Sequence, residues 1–302
     1  MRRIGLLLTL ALILPAACTP PASNPDLETG PVITASTTFL ADMARNVAGN
    51  RMQIRSLLPP GMDPHEYQAV PSDVRKIAQS TAVIVNGLGY EQFMQPLLEN
   101  AGGTRLILTA SDGLEPRRVT EATGEAAADP HMWMSPTRVV KYVENIRDGL
   151  SSMDPQGADI YQANAEAYIS QLNELDSWIM RQVAQIPAER RVLVTNHDSL
   201  GYFSQQYGFR VIGTVIPGVS SEAAPSARQM SALIDEIKST GAPAVFLDIS
   251  DDPLLADQIK SETRVTVVTD LYIETLSPPD GPAATYMDMM KHDVARMVEA
   301  LK

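Results

Sequence analysis

The 302-residue sequence holds four histidines, and three of them, His65, His131 and His197, stand where a loop is expected to begin. Neutral imidazole is the commonest borderline-soft ligand for zinc and its neighbours in the transition series. His65 and His131 share one local frame, Asp63-Pro64-His65 and Asp129-Pro130-His131. His197 lies in Thr195-Asn196-His197-Asp198, directly behind the run Arg191-Val192-Leu193-Val194. Any one of them alone reads more simply as a surface or capping histidine. Three from distant segments read together as a metal site assembled by tertiary structure.

Three neutral imidazoles leave a divalent cation with its full charge, so a carboxylate is expected to complete a four-coordinate shell. Two stand close together in Thr269-Asp270-Leu271-Tyr272-Ile273-Glu274-Thr275, Asp270 at the end of a strand-like run and Glu274 in the loop beyond it. Residue chemistry does not choose between them. Asp63 and Asp129 are placed either to orient the imidazoles or simply to start turns, which Asp-Pro does in its own right. Trp133 and Tyr67, each just after a histidine, are expected to wall the cleft, and Met62, Met132 and Met134 to pack beneath it. His292 is expected to be solvent-exposed and apart from the site. The other methionines, mostly at helical apolar spacing, read as core filler.

These residues need elements to position them. Past residue 31 the chain alternates between short β-branched runs and longer helical stretches, the pattern of parallel sheets with crossover helices. Strands are expected at 32–35, 52–58, 82–86 and 106–108, and again at 192–195, 209–214, 244–247 and 265–268. Helices are expected at 38–48, from 71 onward, and at 136–153, with Ser135 as N-cap and Pro136 in the first helical position. A second group is expected near 199–207, 226–240, 253–262 and 284–301. Between the two groups, residues 158–186 contain neither Gly nor Pro. A helix of that length spans roughly 40 Å and can run along two lobes and join them.

The expected fold class is therefore α/β: two parallel-sheet lobes joined by a single long helix, with the metal site in the interlobe cleft. Open parallel sheets bind ligands where strand carboxyl ends and helix N-termini converge, and all three histidines are expected at such positions. About 270 residues also exceed what one core supports comfortably.

At the N-terminus, Arg2-Arg3 precedes an apolar stretch, residues 4–14, too short to span a membrane but suited to a secretory signal. It ends in Leu14-Pro15-Ala16-Ala17-Cys18, which resembles a bacterial lipoprotein cleavage site, although Pro15 stands where an aliphatic residue is usual. Cys18 is the only cysteine, so no internal disulfide is expected. The expected division is 1–18 signal peptide with lipoprotein cysteine, 19–30 tether, 31–155 first lobe, 156–187 linking helix and 188–302 second lobe. A net charge of -12 argues against nucleic acid and is compatible with a cationic cargo.

Asp63-Pro64-His65-Glu66-Tyr67, Asp129-Pro130-His131-Met132-Trp133 and Asn196-His197-Asp198 followed by Gly201-Tyr202-Phe203 resemble the periplasmic solute-binding proteins of zinc and manganese ABC transporters. Gly281-Pro282, Thr285-Tyr286 and Met289-Met290 extend the likeness over nearly the whole mature chain. The resemblance implies two lobes on a rigid helix, with two metal ligands from each. His65 and His131 take the first two positions and His197 the third. The fourth is usually an Asp twelve residues before the Tyr of the Thr-Tyr pair; counting back from Tyr286 gives Glu274. Glu is longer by one methylene, which opens a different binding mode.

What the resemblance implies for function is capture of a divalent metal outside the cytoplasm by a monomeric, lipid-anchored protein and delivery to a membrane permease. The cargo expected is zinc, with manganese as the alternative, because nitrogen-rich, low-coordinate sites suit zinc. Many zinc-specific relatives carry a His-rich loop before the second ligand, and residues 117–126 hold no histidine. The rival class is an exported zinc hydrolase, since three ligands plus water also describe a catalytic site. Glu66 is its one obvious base. No His-Glu-x-x-His pattern is present, and the fourth position is filled by protein, so binding rather than catalysis is expected.

Overall fold

Two four-stranded sheets, each wholly parallel, form the frame of the computed structural model, which describes residues 30–121, 124–222 and 225–302. The expected signal peptide, Cys18 and the tether up to residue 29 lie outside the described residues. The first lobe runs β1 (Val32–Ala35), α1 (Thr38–Ala48), β2 (Gln53–Ser56), α2 (Pro71–Ala78), β3 (Ala82–Val85), α3 (Met94–Ala101) and β4 (Leu106–Thr109), with sheet order β2-β1-β3-β4. An antiparallel hairpin follows, β5 (Arg118–Thr120) and β6 (Ala126–Ala128), then a 3-10 turn, Met132–Met134. Next come α4 (Pro136–Met153) and α5 (Ala158–Val183). The second lobe runs β7 (Val192–Thr195), α6 (Gly201–Tyr207), β8 (Arg210–Thr214), α7 (Ala227–Thr240), β9 (Ala244–Asp248), α8 (Pro253–Thr263), β10 (Thr266–Leu271) and α9 (Tyr286–Leu301), with sheet order β10-β9-β7-β8.

Strands covered on both faces read as continuous apolar runs. Their alternation nonetheless divides the core. On β3, Ala82 and Ile84 face one cluster while Val83 and Val85 face another; on β9, Ala244 and Phe246 part in the same way from Val245 and Leu247. The inner faces of both sheets meet in a single cluster that runs from Phe39 through Tyr168 and Leu172 of α5 to Phe246 and Met289. So the two lobes exist as expected, but they share one core and keep only small satellite cores on their outer faces.

α5 has 26 residues, about 39 Å at 1.5 Å per residue. Its buried positions Tyr161, Ala165, Tyr168, Leu172, Leu175, Ile179 and Val183 step by three and four, one stripe along the whole helix. That stripe packs on α4 and α1 from the first lobe and on α9 from the second. No described helix is long and apolar enough to cross a membrane.

One local expectation gives way, and two elements lay outside the sequence reading. Ser135 holds the N-cap position of α4, but its hydroxyl donates to Gln206 instead of capping the helix. The β5–β6 hairpin and α3 were not legible, the hairpin because Ala126-Ala127-Ala128 has poor strand propensity and pairs only by tertiary placement.

Candidate metal centre

His65 reaches its place through an Asx turn in the loop after β2: its N–H donates to Asp63 Oδ1 at 2.8 Å. His131 uses the same turn, its N–H donating to Asp129 Oδ1 at 3.0 Å. The loop that carries it follows β6 of the hairpin, not a strand of either parallel sheet, which corrects the expectation for this histidine. His197 sits two residues beyond β7, where Thr195 Oγ1 donates to its carbonyl.

The chain brings these three together with Glu274. Nε2 of His131 lies 3.3 Å from Nε2 of His65 and 3.2 Å from Nε2 of His197. Glu274 Oε1 lies 3.4 Å from His131 Nε2 and 3.3 Å from His197 Nε2. All four candidate atoms fall within 4.8 Å of one another. A tetrahedron whose vertices stand ~2.0–2.1 Å from its centre has edges of ~3.3–3.4 Å, so these separations fit four donors around one small cation. Among the described residues, no donor meets the buried Glu274 Oε1 in hydrogen-bonding geometry, and an anionic oxygen left that way calls for a positive partner.

Electrostatics separate the histidines. Burial holds the His65 imidazole down to about 3. Burial works the same way on His131, but Glu274 and Asp129 outweigh it and carry it up to about 10. Burial alone would raise the Glu274 carboxyl; His131 and His197 hold it well below the usual carboxylate range. Burial raises Asp63 to about 6, with Glu274 adding to the effect.

The two Asp-Pro-His frames diverge in use. Asp129 Oδ1 also accepts from His131 Nδ1 at 2.9 Å, which leaves Nε2 of that ring free to face the cluster. Asp63 serves the turn, and its Oδ2 accepts from Ser221 of the other lobe. Asp270 stays outside the cluster, its carboxylate 2.9 Å from Arg296 Nε on α9. His292 is not solvent-exposed: it is half-buried, with Nε2 2.9 Å from the Asp270 carbonyl.

Trp133 is fully buried beneath the site, stacked on Phe39 at 4.5 Å and 5.1 Å from the His131 ring. Tyr67 turns away, its hydroxyl donating to Asp73 and its ring on Phe93, because α2 offers that carboxylate at its first turn. Met132 and Met134 are buried as expected, whereas Met62 is 39% exposed. Glu66 is exposed and not part of the cluster.

Sequence reasoning missed Tyr90, whose hydroxyl donates to Glu274 Oε2 at 2.7 Å. The signal was present: Asn86-Gly87-Leu88-Gly89-Tyr90 is a turn at the carboxyl end of a parallel strand. It also missed Asp248, which accepts the backbone N–H groups of Ile273 and Glu274. Trp133 Nε1 holds the Ile273 carbonyl at 2.8 Å, so groups from both lobes fix the Glu274 loop. A cavity of about 580 Å³ opens beside His65, bordered by Glu121 of the hairpin and by Ile216, Pro217 and Val219.

With that geometry in view, the comparisons are specific. A family model described as zinc-uptake complex component A, periplasmic (ZnuA), matches residues 33–300. The manganese-binding lipoprotein MntA of Halalkalibacterium halodurans is 36% identical over 269 residues, covering 89% of this chain and 88% of that protein. The iron-binding protein YfeA of Yersinia pestis is 32% identical over 278 residues, 90% and 88% of the two chains. Among solved structures, the periplasmic zinc binding protein TroA from Treponema pallidum superposes with a TM-score of 0.83 at 29% identity, covering 90% of this chain and 99% of that one.

Proposed function

Because this chain belongs to the ZnuA family of periplasmic metal-uptake components, we propose that His65, His131, His197 and Glu274 bind one zinc ion as its cargo. The chain is an extracytoplasmic, divalent-metal-binding component of an ABC transporter that delivers its ion to a permease, and it is not an enzyme. Our own reading adds the ligand set and the preference for zinc. We also take 31–155, 156–187 and 188–302 as lobe, link and lobe, and Cys18 as the lipid-anchored residue.

The observation that carries the zinc reading is the state of Glu274. Tyr90 donates to Oε2, and Oε1 is the carboxylate oxygen turned toward the imidazoles of His131 and His197, with His65 completing the cluster. That donor set, three nitrogens and one oxygen, suits zinc; manganese prefers more oxygen ligands and a higher coordination number. Manganese is the second reading, favoured by the manganese-binding relative at 36% identity. The test strips the protein with a chelator and titrates zinc against manganese in competition. Zinc is expected to win by at least about tenfold, ~1.4 kcal/mol. A manganese preference with all four residues intact would overturn the zinc reading.

Tyr90→Phe is expected to release Oε2 and let Glu274 offer both oxygens. One hydrogen bond to a carboxylate is worth ~1.5–3 kcal/mol, so the zinc-over-manganese ratio is expected to fall about tenfold. A ratio within twofold of the parent would remove Tyr90 from the selectivity argument.

Ser221→Ala breaks the cross-lobe bond to Asp63 without touching the four residues. Metal release, followed by stopped flow into excess chelator, is expected to quicken about tenfold, the rate equivalent of ~1.5 kcal/mol for that charge-assisted bond. An unchanged release rate would mean that this bond does not hold the lobes together over the ion.

A further inference from the structure

We propose that Arg117 is a positioning residue that ties the orientation of His131 to the seating of the second lobe, and that position 201 is glycine because this guanidinium fills the space a side chain there would need. The inference rests on the reading of His131 and His197 as metal ligands.

Asp129 is fully buried and fully committed. Its Oδ1 accepts both the backbone N–H and Nδ1 of His131, and its Oδ2 is held by Arg117 Nη1 at 2.6 Å. The same Nη1 stands 3.5 Å from Asp198 Oδ1, on the residue that follows His197. One guanidinium from the first lobe thus links the aspartate behind one candidate ligand to the neighbour of another in the second lobe.

The start of α6 is shaped as its socket. A Cβ built on Gly201 would collide with Arg117, and the three atoms nearest to it all belong to the guanidinium. Gly201 has no positive φ, so conformational freedom does not explain it. Tyr202, the next residue, accepts the Arg117 N–H at 2.9 Å and donates to the Asp129 carbonyl at 2.8 Å. Its ring lies 5.5 Å from Arg117 Cζ. Within the first lobe, Asp129 N donates to the Arg117 carbonyl at 2.9 Å, so the two residues are also joined through the backbone.

The chemistry favours arginine specifically. A planar guanidinium can donate along its edge to two carboxylates while a face rests on an aromatic ring, which a lysine ammonium cannot do. Asp129 fixes the tautomer and the plane of His131, and Arg117 fixes Asp129. With the second lobe seated, Arg117 gains Asp198, Gly201 and Tyr202 as neighbours and loses its freedom to swing. His131 is then held rigidly while the lobes are together.

The test uses the full chain as Arg117→Ala, Gly201→Ala and the double variant, with zinc alone as the probe. Affinity and dissociation rate are measured, together with the proton resonance of His131 Nδ1–H in metal-free protein. Each single variant is expected to bind zinc about 10–100-fold more weakly, chiefly through faster dissociation, the usual cost of losing such a supporting partner. The double variant is expected to match Arg117→Ala, because the added methyl no longer meets a guanidinium. The His131 resonance is expected to shift or broaden in all three.

Affinity within twofold of the parent in either single variant, additive losses in the double, or an unmoved resonance would each overturn the proposal. Should Arg117→Ala not fold, Gly201→Ala displaces the same group while keeping the arginine, and its affinity and resonance decide. A parent protein that fails to bind zinc defeats the ligand reading instead, and the metal-free resonance still judges Arg117.

Discussion

Replacing His131 with alanine is expected to weaken zinc binding about a hundred- to a thousandfold while leaving a folded chain. His131 Nε2 lies within 3.4 Å of His65, His197 and Glu274 alike, so it is the common neighbour of the other three. A four-ligand zinc site is worth ~10–16 kcal/mol, and loss of one ligand in four removes ~2.5–4 kcal/mol, about a hundred- to a thousandfold. Folding should survive because Asp129 keeps the Arg117 guanidinium and the backbone N–H at position 131. Calorimetric titration, with melting recorded alongside, checks both halves of the statement. His292→Ala is the matched control and is expected to bind as the parent does, since that imidazole is engaged with the Asp270 carbonyl. Binding by His131→Ala within about tenfold of the parent would exclude it as a ligand.

Removing the ion is expected to lower the melting temperature by roughly 8–16 °C. The four residues come from four separate segments and meet only in the folded chain, so a metal held by them would bind the native state and not the unfolded one. At a free zinc concentration about 1,000 times the dissociation constant, that linkage supplies ~4.1 kcal/mol. For a chain near this size, each kcal/mol moves the melting point by ~2–4 °C. Scanning calorimetry with and without chelator gives the difference directly. In His131→Ala the increment should largely vanish. Stoichiometric zinc binding that shifts the parent's melting point by less than ~2 °C would place the ion outside the native four-residue site.

The shared core gives this linkage a mechanical basis. Trp133 Nε1 from the first lobe holds the Ile273 carbonyl, Asp248 from the second holds the Glu274 N–H, and Tyr90 holds its Oε2. An ion bound by Oε1 therefore pulls on groups that both lobes already hold in place.

Much of the fold was written locally. Runs such as Val192–Thr195 and Ala82–Val85 are aliphatic because both faces are covered, and the three-and-four stepping of α5 marks one buried stripe. Scarcity did the same for the site: with four histidines in 302 residues, the two Asp-Pro-His frames and Asn196-His197-Asp198 stood out by chemistry alone. Those signals span a few residues, and the sequence carries them in full.

Tertiary structure decided what depends on partners far along the chain. Asp63 and Asp129 occupy identical frames, yet only Asp129 grips an imidazole, because Ser221, 158 residues away, draws the other carboxylate across the cleft. Asp270, near the end of β10, and Glu274, in the loop beyond it, are equal candidates by residue chemistry; Arg296 of α9 claims the first, and Tyr90, 184 residues from the second, orients Glu274 toward the histidines. Nothing in the spacing around Gly201 announces the guanidinium that excludes its side chain. A period of two or of 3.6 tells a residue which face of its own element it occupies. Which groups meet when two such faces close over one core is set by sheet order and lobe approach, and those exist only in the folded chain.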